Sequence, residues 1–172
     1  TIGSVNGGTS GVSGKLLLST GLSTAGNGGN IELLSGHSSS GRGGSMIFSI
    51  GSGTSGAGGK MVLSAGESTA SGQSGGLITI TGGHASHAAG GLGGSISLSG
   101  GLAAFSTGGT MSMLSGFSTA SSSGALTIGS VNGGTSGVSG KMLLSTGLST
   151  AGNGGNIELL SGHSSSGRGG SM

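Results

Sequence analysis

Glu32, Glu67 and Glu158 are the only carboxylate side chains in 172 residues, and there is neither Asp nor Cys. Glycoside-type hydrolysis needs two acids flanking one bond, and thiol chemistry needs a cysteine. Serine is plentiful, but a nucleophilic triad needs an acid that orients a histidine, and no His here has one near it in sequence. His84 and His87 form a His-x-x-His pair. Zinc requires three or four ligands and no third is nearby, so the pair is read as polar residues of a long loop. His37 and His163 occupy one position in two repeat copies, just past a glycine. Gly14-Lys15 and Gly59-Lys60 end like a phosphate loop. The required first glycine, however, falls on Thr9 and Thr54, and Leu16 or Met61 follows the lysine. Glycine-rich calcium repeats draw their ligands from Asp. The expectation is a chain that is not an enzyme and takes no cofactor, no metal and no small-molecule substrate.

Composition narrows the class further. Gly supplies 47 of the residues, against roughly 7% in ordinary proteins, and Ser supplies 38. Five Lys/Arg against three Glu leave a net charge of +2, and Trp and Tyr are absent. Nucleic-acid binding needs clustered basic residues and stacking aromatics, so no nucleic acid is expected. No apolar run reaches membrane-spanning length, so membrane insertion is not expected either. Collagen is excluded by the missing Pro and missing three-residue period. The start, Thr1-Ile2-Gly3, resembles neither an initiator nor a signal peptide, and the chain reads as a window of a longer one. There is no Asn-x-Ser/Thr glycosylation signal.

The elements that must carry these residues repeat at two levels. Lys15 to Gly29 reads KLLLSTGLSTAGNGG, and Asn30 to Gly44 reads NIELLSGHSSSGRGG. Further repeats occupy 45–59, 60–76, 77–94, 95–109, 110–124 and 125–140, and the first returns at Lys141. Residues 1–46 and 127–172 differ only at Leu16 against Met142. The long period is therefore 126 residues, eight short repeats, with a second copy beginning at 127.

Numbered from its first residue, each short repeat has a large apolar side chain at positions two and four: Leu16/Leu18, Ile31/Leu33, Met46/Phe48, Met61/Leu63, Ile78/Ile80, Ile96/Leu98, Met111/Met113 and Leu126/Ile128. Alternation of period two predicts a half-buried strand, with position three facing outward. Position seven is Gly in seven repeats of eight, and most repeats end in a glycine cluster, which predicts corners. A second, small-residue strand is predicted between them (Leu22–Ala25, His37–Ser40, Glu67–Ala70, Phe117–Ala120). The expected fold is all-β: a single continuous β-solenoid segment over 1–172, built of stacked rungs of about fifteen residues spaced about 4.8 Å apart.

The Gly-x-Ser-x-x-Gly-x-Gly-Gly-x-apolar-x-Leu pattern of Gly21–Leu33 resembles that of large Gly/Ser-rich surface and extracellular-matrix proteins. The resemblance covers the whole chain and implies a secreted structural role, extracellular or at the cell surface, with no site residues carried over. The expected function is a structural component of a long extracellular filament or matrix fibre. The stalk or ligand face of a surface adhesin is the alternative, and an ice-binding array is disfavoured by the irregular sequence at position three. Position three is apolar at Leu17, Ile47, Val62 and Leu143. Exposed apolar patches mark interfaces, so these four residues are the candidate lateral interface for self-association into filaments or bundles.

Overall fold

The computed structural model describes Ile2–Met172, and Thr1 lies outside the described residues. Its residues group into two units, Thr1–Thr81 and Gly82–Met172. Among the described residues there is no helix and no strand. No described residue is buried, and no described side chain forms a hydrophobic core. The accessible surface of 16707 Å² is more than twice the roughly 7,200 Å² of a compact monomer of this mass, and about three quarters of that of an unfolded chain.

The β-solenoid expectation is therefore wrong. Every backbone hydrogen bond among the described residues joins two groups of the same repeat, so no ladder links one rung to the next. The physical reason lies in the half of each repeat expected to be the second strand. In the stretches Leu22–Ala25 and His37–Ser40 the serine at position nine turns on its own backbone: the Gly26 N–H donates to Ser23 Oγ at 2.9 Å and the Gly41 N–H to Ser38 Oγ at 2.8 Å. Such local side chain–backbone bonds compete with sheet pairing. With the second strand folded into a turn, the first has no facing layer against which to bury its apolar side chains, and no ladder forms between rungs. Two large apolar side chains, worth about 3–6 kcal/mol when fully buried, do not offset the roughly 15–30 kcal/mol of ordering fifteen residues.

Each repeat instead has two parts. Positions one to six form an extended segment with no backbone partner. The remainder is a loop that, in six repeats, closes on itself: the last glycine donates its N–H to the carbonyl of position seven. The pairs are Gly44 to Gly36, Gly76 to Gly66, Gly94 to Gly83, Gly109 to Gly101, Gly124 to Gly116 and Gly170 to Gly162, at 2.8–2.9 Å. These necks enclose eight residue steps in the 15-residue repeats, ten in the 17-residue repeat and eleven in the 18-residue repeat. Subtracting loop from repeat leaves seven in every case, so all the length variation sits inside the loop. Lengthening a loop from eight to eleven residues raises its closure cost by only about 0.3 kcal/mol.

The corner assignment also changes. Among the described residues only Gly56, Gly72, Gly90 and Gly91 have positive φ, and none is at position seven. Gly72 (φ 72°) is the third residue of a turn in which the Gln73 N–H donates to the Ala70 carbonyl at 3.3 Å, where an L side chain is strained. The position-seven glycines have open space around them.

Candidate interaction surface

The neck is set by two positions, the closing glycine and position six. A Cβ added to Gly44 would lie 3.2 Å from the Gly36 nitrogen and 3.2 Å from Ser35 Cβ, at position six. At Gly94 and Gly109 the added atom would meet the nitrogen of Gly83 at 2.7 Å and of Gly101 at 2.8 Å. At Gly94 and Gly109 the closing glycine is required by close approach of backbone to backbone, whereas at Gly124 the added atom would stand 3.5 Å from the Gly116 nitrogen, an ordinary contact. Position six then separates closed necks from open ones. It is small in all six closed repeats: Ser35, Ala65, Gly82, Gly100, Ser115 and Ser161. Where it is β-branched (Thr20, Ile50 and Thr146) the backbone bond is missing. It is missing too in 125–140, although Ser130 at position six is small. A Cβ on Gly59 would come within 2.6 Å of Ile50 Cγ2, which is the crowding that holds the two sides of that neck apart. Thr20 substitutes a bond of its own, its Oγ1 donating to the Gly29 carbonyl at 3.1 Å.

Position nine turns into the loop. It is Gly, Ala or Ser in every repeat, and Gly7, Ser38, Ser68, Ala103, Ser118 and Ser164 at this position are half-buried while nearly everything else is exposed. Ser118 accepts from the Ser121 N–H at 3.0 Å, Ser149 from Gly152 at 3.0 Å and Ser164 from Gly167 at 2.8 Å. A larger side chain at nine has no room within so small a ring. Residue size alone assigns this position to a second strand. The spacing Ser-x-x-Gly, as in Ser23-x-x-Gly26 and Ser38-x-x-Gly41, is the signal of a serine turn that size conceals.

His84 and His87 lie in the loop between Gly83 and Gly94. The Ala89 N–H donates to His87 Nδ1 at 3.1 Å and the Gly90 N–H to the His87 carbonyl at 3.0 Å, so His87 organises a turn. Among the described residues no three His, Cys, Asp or Glu gather in a metal-binding group, and no pocket is formed.

The surface that remains is the extended segment. Its side chains are uncovered and keep a period-two order only in part: position two is 45% exposed at Met46 against 84% at Ile47 in position three, but Leu63 in position four, at 73%, is no better covered than Val62, at 70%. Leu17, Val62 and Leu143 are 68–70% exposed. Positions two and four were expected to point into a core; they are exposed too, Leu18 at 67% and Leu33 at 56%. The apolar surface thus wraps both faces of each segment, and the four position-three residues are among its outward members. Leu17, Ile47 and Val62 belong to the first unit and Leu143 to the second.

No family model, curated protein or solved structure matches this chain.

Proposed function

We propose that the chain is a segment of a long, non-catalytic extracellular structural protein, a filament or matrix component that associates with further copies of itself. The observation that carries this reading is the fidelity of the long period. Residues 1–46 and 127–172 differ at one position, and the local bonds recur with them: Gly36–Gly44 with Gly162–Gly170, Ser23–Gly26 with Ser149–Gly152, and Ser38–Gly41 with Ser164–Gly167. A protein that copies a finished block of local structure gains length. Exposed apolar side chains at regular intervals favour association, and Leu17, Ile47, Val62 and Leu143 are the residues assigned to it. Antibodies raised against the 172-residue chain, applied to producing cells and their secreted material in immunogold electron microscopy, test the role. Label on extracellular fibrous material is the expected outcome. Label confined to the cell interior overturns it.

A further inference from the structure

We propose that the tandem closed loops are a reserve of chain length, making this protein an extensible tether that lengthens under tension and recovers when tension is released. Six repeats have the chain enter and leave a loop through a neck only 2.8–2.9 Å wide, measured from carbonyl oxygen to amide nitrogen. An eight-residue loop drawn straight reaches roughly 26–29 Å, and the eleven-residue loop between Gly83 and Gly94 roughly 36–40 Å. Most of that contour is hidden while the neck is closed, because tension along the chain passes across the neck and bypasses the loop.

The lock is weak and local. Each neck is one backbone N–H···O=C bond open to water, of modest net value, reinforced in several loops by the serine bond at position nine. No described residue is buried, so opening a neck exposes no core and recruits no neighbouring repeat. The loops therefore open one at a time and at low force, and they reclose by a contact between residues eight to eleven positions apart, a search completed in roughly 10–100 ns. Repeats with Ile50 or Thr146 at position six lack the neck bond, and at Thr20 a hydroxyl bond to the Gly29 carbonyl takes its place, so the composition of position six sets how firmly a given stretch of chain holds its reserve. The absence of Cys leaves no covalent lock across any neck.

This proposal rests on the structural reading above for the source of the load, but its test reads the loops alone. The 172-residue chain is held between DNA handles in an optical trap. It is compared with a variant carrying Gly44→Ala, Gly76→Ala, Gly94→Ala, Gly109→Ala and Gly170→Ala, in which the added Cβ meets the neck at 2.7–3.2 Å. A control carries Gly36→Ala, Gly66→Ala, Gly83→Ala, Gly101→Ala and Gly162→Ala, with the same composition and open space at every site. The wild-type chain and the control should start shorter at low force and gain contour on pulling, on the order of 100 Å in excess of the neck variant for five loops. All three should converge at high force and retrace on relaxation. Superposition of the wild-type and neck-variant curves at all forces would falsify the length reserve, while an intracellular location refutes only the filament reading.

Discussion

Two glycines eight residues apart behave differently for a reason visible in their surroundings. Gly36 has nothing within 4 Å of where a Cβ would stand, and Gly44 has a backbone nitrogen and a Cβ at 3.2 Å. Gly36→Ala should leave the neck intact, and Gly44→Ala should open it. The measurement is hydrogen exchange at residue 44, whose amide protection falls about 2–10-fold on loss of one exposed hydrogen bond. The reverse change belongs at position six: Thr20→Ser removes the crowding methyl, and the Gly29 amide should gain protection by a similar factor. Leu18→Asp, which a solenoid core would not tolerate, falls on a side chain 67% exposed and should shift neck protection by no more than about 0.5 kcal/mol. A collapse of the neighbouring loops in the L18D chain would mean that Leu18 is covered after all.

The closed loop, and not the stacked rung, is the structural element. Ser38→Ala deletes the acceptor of the Gly41 N–H, and the turn should loosen by about 0.5–1.5 kcal/mol, read as faster exchange at Gly41 with the Gly44 amide following it. Much of this element is legible in the sequence. The repeat boundaries, the terminal glycines and the small residue at position nine of Ser23, Ser38 and Ser68 are all plain, and so is the alternation at Leu16-Leu17-Leu18. What misleads is the interpretation of alternation. Period-two order predicts an extended segment, and position two at Met46 is indeed less exposed than position three at Ile47; but a strand also needs a partner, and partnering is a tertiary matter. Residue size makes His37–Ser40 look like the facing layer of a core, whereas its conformation follows from the reach of one hydroxyl to the amide three residues on. The exposure of Leu17, Ile47, Val62 and Leu143 is legible because an outward position needs no partner to stay outward. The exposure of Leu18 and Leu33 is not, because it depends on the partner that is missing.

For the molecule as a whole, the lack of a core has a calorimetric consequence. Cooperative unfolding and its heat-capacity step arise from apolar surface that becomes exposed, and here that surface is exposed beforehand. Dilute chain should show no endothermic peak on heating, while circular dichroism drifts gradually; a sharp transition at a concentration where the chain is monomeric would contradict the open architecture. Under the proposed self-association, further copies supply the apolar cover that the single chain lacks. Replacing Leu17, Ile47, Val62 and Leu143 by Ser should reduce concentration-dependent assembly in sedimentation velocity, and unchanged assembly would move the contact to positions two and four. Because the 15-, 17- and 18-residue repeats all keep the same seven-residue remainder outside the neck, the distance along the thread from one loop to the next is independent of what the loop contains. Each loop is in effect a cassette: a foreign peptide spliced between Ser71 and Gly72, or between Ala88 and Ala89, within the loops that are already longer than the rest, would be displayed at an unaltered interval. Mutation can lengthen or rewrite the cassettes in the same way, leaving the pitch of the series untouched.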